Sequence, residues 1–486
     1  MQELIRDRRT SPRNAWLVAI VLGLLLGSWS SLSGRPHPVA GGASPRLQEQ
    51  GATPPLTLIH NAAAILTMDP ALGQGELGLI EKADILLVEN TIAAVGKDLG
   101  GNGAEVIDAT GKIVMPGFVD THNHLWQSLI RGCGTDKDVN GWLGVCVSPL
   151  FGFNFSPADV YAGVRLSTLD LITTGVTTTV DFSHAFTPTF VRANIQALSD
   201  SGLRFAFAYR GTANTAVIDD IRLVKETLID PNPRATFQIG SSPGIENTFL
   251  PNLLAMSSLS KELHVKLHVH LLESISQRQD MPFDALAQAN ALGPDLLVAH
   301  AIHLTDAEIS ILAGNDVRVA HNPLSNMRLA SGVIRLPQLK QAGVQVGLGL
   351  DGGSNDTSDM FNDMRAALGL QRATSLQANI VPTVNEVIRM ATLGGAKLLD
   401  MSDRIGSLTP GKRADLIVLD PDAVNFAPRF DAIGQIVFNA QPQNVKWVFV
   451  DGRALKRNGK LVGINPDVIV KDAQTAADRI HQFLFP

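Results

Sequence analysis

Two histidines one residue apart, His122 and His124, follow an apolar run in "FVDTHNH". Residues i and i+2 of a β-strand share a side, so both imidazoles would aim at one point, and neutral imidazole is the commonest metal ligand. The alternative is an ordinary strand end carrying two polar residues. Comparable runs recur along the chain: "VKLHVH" ends at His270, "LLVAH" at His300 and "VGLGLD" at Asp351. Nine of the twelve histidines fall between residues 122 and 321. Each of these runs ends in a group able to hold a metal or move a proton, which is the equipment for activating water.

Such strand ends need a frame. From about Gly117 to Leu399, β-favouring runs such as "GVTTTVDF", "GLRFAFAYRG", "ATFQIGSS" and "VRVAHNP" alternate with helical stretches. That alternation implies βαβ units and a parallel sheet, and roughly eight units over this length fit an α/β fold of the (β/α)8 TIM-barrel type. Catalytic groups in such a barrel sit where strands end at the C-terminal face. The barrel is expected over residues 117–400. Short β-rich runs flank it over 56–116 and 401–464 and predict a small β-sandwich domain built from both chain ends, followed by a C-terminal helix over 465–486.

The 486 residues, 45% of them hydrophobic and 18% charged, describe a folded protein with a large core. A formal net charge of −6 leaves no basic footprint for nucleic acid, so a small molecule is the expected partner. At the N-terminus, Arg6, Arg8, Arg9 and Arg13 precede the apolar run "AWLVAIVLGLLLG". This reads as a signal peptide over residues 1–33, with export to the periplasm or medium, or else as an uncleaved membrane anchor. Residues 34–55, rich in Pro, Gly and Ala, read as a flexible linker. Cys133 and Cys146 could pair in an oxidising compartment or stay as buried thiols.

"MPGFVDTHNH", "HVHLLES", "AHAIHL", "HNPLSNMRLASG", "GLGLDGGSNDTSDMF" and "GSLTPGKRADLIVLD" together resemble the amidohydrolase superfamily over about residues 56–460. The similarity is to its deaminase and chlorohydrolase branch, which includes atrazine chlorohydrolase, guanine deaminase, isoxanthopterin deaminase and S-adenosylhomocysteine deaminase. The resemblance implies His122, His124, His270 and Asp351 as ligands of one divalent ion, with Zn²⁺ or Fe²⁺ both compatible with three imidazoles and a carboxylate. It implies that Asp351 also accepts a proton from water and that Glu273 shuttles protons. His300 would polarise the substrate, or bind the metal as a fifth ligand. His264 and His268 share the parity of His270 and would fill the barrel or support the ligands. The carboxylated lysine of two-metal relatives has no counterpart at the end of strand four, and Lys266 sits too early in strand five.

For the substrate, the resemblance sets Gln127 where guanine deaminase has a glutamine that reads the purine amide edge, and a carboxamide can both donate and accept. Trp126, Arg210, His184 and His321 are further candidates for lining the pocket. The leading expectation is hydrolytic deamination of a purine-, pterin- or triazine-like heterocycle. Dechlorination or cyclic amide hydrolysis by the same chemistry is the alternative, and a non-catalytic binding protein on this scaffold is the third. A homodimer would be usual for such relatives.

Overall fold

The computed structural model describes residues 55–242, 249–280, 282–354 and 357–486. The expected leader, and the linker apart from Pro55, lie outside those residues. Among the described residues, no helix is long and apolar enough to cross a membrane.

Eight parallel strands follow one another in chain order around a barrel: β1 (Phe118–Asp120), β2 (Val176–Ser183), β3 (Arg204–Arg210), β4 (Ala235–Ser241), β5 (Lys266–Leu271), β6 (Leu296–His300), β7 (Arg318–His321) and β8 (Val346–Leu348). They coincide one for one with the runs read from the sequence. Just past the named strands, the Thr121 amide donates to the Leu348 carbonyl and the Asp351 amide to the His122 carbonyl, both at 2.9 Å, joining the last strand to the first. β2 is buried at every position, as expected for a parallel strand covered on both faces. Val119, Val180, Phe182, Ala206, Leu297 and Ala320 belong to one packed cluster within the barrel.

The intervening helices are delimited by local chemistry. The helix Pro157–Thr174 starts at a Ser156/Asp159 capping box and stops at Gly175, whose φ of 94° turns the chain into β2. A second capping box, Thr305/Glu308, opens Asp306–Gly314 after β6.

Strands from both flanks merge into one nine-stranded sheet. Its pivot is Leu56–Leu66, which pairs with Glu105–Asp108 through its first half and with Ile113–Pro116 through its second. The register breaks between Ile59 and Ala62, and such a bulge bends a strand. The sheet encloses its own core of Ile59, Ile85, Leu87, Val114, Val418 and Phe449. Leu416–Leu419, from the C-terminal flank, pairs antiparallel with Ile113–Pro116 immediately before β1. The helix Pro466–Leu484 closes the chain and buries Ala473, Ala476 and Ile480.

Two open points resolve. Cys133 and Cys146 form a disulfide. His264 does not share the inward face of β5: it lies in the exposed turn before that strand, at a φ of 52°, so the strand's alternation does not reach it.

Candidate metal centre and active site

β1 ends at Asp120, and the buried Asp120 carboxylate ties the barrel ends together. It accepts from the Leu350 amide at 2.9 Å, from Asn123 Nδ2 at 2.7 Å and from Thr179 Oγ1 at 2.8 Å. His122 and Asp351 are thereby brought from opposite ends of the barrel sequence to within 3.1 Å, Nε2 to Oδ1. Close approach also explains a glycine between them: a Cβ on Gly349 would stand 2.3 Å from Asn322 Oδ1 and 3.0 Å from the Cβ of His122. His300 and Asp351 adopt left-handed backbone conformations, with φ of 70° and 59°. Side chains other than glycine adopt this region in only a few per cent of cases.

Hydrogen bonds fix which nitrogen each imidazole presents. His124 Nδ1 lies 2.7 Å from the Phe182 carbonyl and must donate to it, leaving the Nε2 lone pair inward. His268 Nδ1 stands 3.0 Å from Gln238 Oε1, and His268 Nε2 stands 3.1 Å from His122 Nδ1. If each Nδ1 donates along this relay, His122 Nε2 also keeps a lone pair, and it has no hydrogen-bond partner. His270 Nε2 faces His124 Nε2 at 3.2 Å. With the His270 proton on Nδ1, two inward lone pairs would face each other at that separation and repel unless a cation lay between them. Asp351 Oδ2 accepts from Ser325 Oγ at 2.5 Å.

One donor atom each from His122, His270, His300 and Asp351 lie within 4.8 Å of one another, and His124 Nε2 is 3.6 Å from Asp351 Oδ1. His300 is distinguished by its other nitrogen. Asn326 Nδ2 and Asn322 Nδ2 donate to its Nδ1 at 2.9 and 3.2 Å, so its proton sits on Nε2, 3.8 Å from Glu273 Oε2 and 3.9 Å from Asp351 Oδ2. The imidazoles are all held neutral. Burial pushes the pKa of His122 and His270 well below the ordinary value, that of His124 below it, and that of His300 down to about 3. Neutral nitrogens and a carboxylate, with buried atoms left unpaired, fit a divalent cation. Burial, then the nearby Asp351, raises the Glu273 carboxyl well above its usual range, which favours its protonated form.

A cavity of about 630 Å³ opens onto this cluster, large enough for a fused heterocycle with a substituent. Gln127, His184 and Arg210 line it. The Gln127 carbonyl oxygen is engaged by the Gly353 amide at 3.1 Å, which leaves its amino group to face a ligand. Arg210 donates to Ser242 Oγ at 2.7 Å and lies 5.3 Å over the Phe151 ring. No carboxylate among the described residues pairs with it. Trp126 and His321 stand outside the lining. Trp126 is buried among Phe155, Phe186 and Phe190 and donates Nε1 to His184 Nδ1 at 3.0 Å, acting on the pocket through His184. His321 is buried with both ring nitrogens unpartnered, and burial lowers its pKa to about 3.

With this geometry in place, residues 113–455 match the amidohydrolase family. The chain belongs to that family. The amidohydrolase is a hydrolase of carbon–nitrogen bonds other than peptide bonds. It is 32% identical over 436 residues to a 5'-deoxyadenosine deaminase of Methanococcoides burtonii, covering 85% of this chain and 95% of that relative. A 5-methylthioadenosine/S-adenosylhomocysteine deaminase of Syntrophomonas wolfei is 30% identical over 424 residues, covering 84% and 96%. Among solved structures, an adenosine deaminase of Xanthomonas campestris with bound zinc superposes with a TM-score of 0.78 at 25% identity, covering 88% of this chain and 98% of that one. A zinc-containing atrazine chlorohydrolase of Arthrobacter aurescens gives 0.78 at 23% identity, covering 87% and 100%, and shares the fold.

Sequence reasoning did not single out Asp120, Gln238, Ser325, Asn322 or Asn326. Asp120 stands inside "FVDTHNH" and Asn322, Ser325 and Asn326 inside "HNPLSN", so the motifs carried them, but their partners come from other strands.

Proposed function

We propose that this amidohydrolase deaminates an amino-substituted N-heterocycle by hydrolysis, with His122, His124, His270 and Asp351 holding one divalent ion, Zn²⁺ in the leading reading. The observation that carries the proposal is a buried Glu273, its carboxyl pKa raised by burial and by Asp351, beside a cluster of imidazoles and one carboxylate at the floor of a cavity of purine-derivative size. A divalent ion bound there would lower the pKa of a water molecule towards neutrality. Asp351, held by Ser325, receives the proton that the attacking water gives up. Glu273 delivers its proton to the ring nitrogen beside the attacked carbon, which makes that carbon more electrophilic. Recharged with the proton that Asp351 took from water, it protonates the exocyclic amine, and ammonia leaves neutral as the hydroxyl proton of the tetrahedral carbon returns to Glu273. His300 donates from Nε2 to the developing oxyanion, and its two asparagines keep the proton on that side.

Gln127 and Arg210 supply donors for ring or substituent acceptors. The deaminase names of the relatives support adenine-type amines first, with pterins and aminotriazines next. Loss of chloride or opening of a ring amide would leave Glu273 with one proton transfer instead of two. We also propose that the protein works in an oxidising compartment outside the cytosol, which the apolar run near its N-terminus and the Cys133–Cys146 pair both support. N-terminal sequencing of protein recovered from its source tests that assignment.

The functional test is ammonia release from adenine, 5'-deoxyadenosine, aminopterins and aminotriazines, with chloride release from chlorotriazines measured in parallel. Ammonia from at least one amine, dependent on bound metal, is expected. Chloride release alone, or no turnover of any compound by metal-replete protein, would overturn the proposal.

A further inference from the structure

The loop of residues 133–146, part of the connection between β1 and the helix Pro157–Thr174, forms one wall of the cavity, with Val139, Trp142 and Leu143 among its lining residues. It has little regular structure of its own: a single turn, Val139–Trp142, capped by Asp138, leads into Leu143–Val147. Residues 135–138 at its tip are exposed, whereas Val139, Trp142 and Cys146 are buried. Its polar tethers are few. Asn140 Nδ2 donates to Ser276 Oγ at 2.8 Å, three residues past Glu273, and Arg328 Nη2 reaches the Cys133 carbonyl at 3.5 Å. The Cys133–Cys146 disulfide closes this segment at its base, across a separation of 13 residues. The packing there is tight, since a Cβ on Gly134 would lie 3.1 Å from Cys146 Sγ and 3.2 Å from Trp142 Cδ1. None of the metal donors lies in the segment: they sit at the ends of β1, β5 and β8.

We infer that Cys133 and Cys146 are specificity-determining positioning residues, whose disulfide holds Trp142 and Leu143 against the substrate and so ties substrate affinity to an oxidising environment. A covalent closure removes the open conformations of a short loop, and without it the loop of residues 133–146 is held, among the described residues, by apolar contacts and by the Asn140 and Arg328 hydrogen bonds at its edge. Reduction leaves the reacting centre as it was and loosens what grips the rest of the ligand. The inference rests on reading the cavity as the substrate site, and its test includes a readout that needs no turnover.

The experiment compares oxidised protein, protein treated with a water-soluble phosphine, and the double variant Cys133→Ala/Cys146→Ala. The phosphine and one water give two thiols and a phosphine oxide, with no added thiol to strip metal. Thiol titration should find no free thiol before treatment and two after it. Limited trypsin digestion should cut after the exposed Lys137 faster in the reduced and variant proteins, by about tenfold. KM should rise roughly five- to thirtyfold with kcat changed less than about twofold, the pattern of lost preorganisation. Metal content should stay constant, and reoxidation should restore wild type but not the variant. Two free thiols in protein kept oxidised, or digestion and KM unchanged in the fully reduced protein, would overturn the inference. Should the variant not fold, the reduced wild type decides. Should no heterocycle be turned over, digestion still decides the latch, and the missing turnover counts against the functional proposal alone.

Discussion

At the N-terminal end of the barrel, Arg204, Lys266 and Arg318 each begin a strand, and each meets an acid. Arg204 bonds Asp415 at 2.9 Å and Asp451 at 2.6 Å, while Lys266 and Arg318 share Asp400. At the C-terminal end, β1, β5, β6 and β8 lead into His122, His270, His300 and Asp351, and the inward Nε2 of His122 is buried with no hydrogen-bond partner. Both ends bury polar groups, and burial without a partner is costly. At the paired end Arg204 joins the barrel to the flanking sheet, because Asp415 and Asp451 border strands of that sheet. The unpaired end keeps its donors for a ligand, and that difference marks it as the site.

Substitutions at the two ends should therefore fail differently. The largest effect is expected for His270→Ala, with both bound metal and turnover lost while the fold persists by circular dichroism. Retained metal would break the comparison. Next, Glu273→Gln should keep the metal and lower kcat by roughly 10²–10⁴-fold, the usual worth of a positioned proton donor. Arg204→Met strands two carboxylates at the paired end and should cost about 3–5 kcal/mol of stability, read from denaturant midpoints, with kcat of the folded enzyme unchanged. The smallest effect concerns His321. Its folded pKa of about 3 lies below the ordinary 6.5, so the unfolded chain takes up a proton first, and stability is lost as pH falls from 6.5 towards 3. His321→Leu should flatten that slope, and an unchanged slope would mean that His321 gains a partner in solution.

Much of this was legible in the sequence. Period-two spacing placed His122 and His124 on one side, and each barrel strand coincided with an apolar run ending in a polar group. Alternation failed where the strand itself stopped: β5 begins at Lys266, so His264 falls in the turn before it and faces solvent. Trp126 lies in the 3-10 turn Leu125–Ile130, whose spacing sends its ring behind the pocket towards Phe155 instead of into it. The Gln238–His268–His122 relay and the Asn322/Asn326 clamp on His300 join residues from different strands. One sequence shows which residues each strand presents, and not which of them meet across the barrel.

The most direct measurement is metal content against turnover. Purified protein should carry one divalent ion per chain, lose ammonia release when a chelator removes it, and recover on adding Zn²⁺. Deamination that persists in metal-free protein would contradict the account.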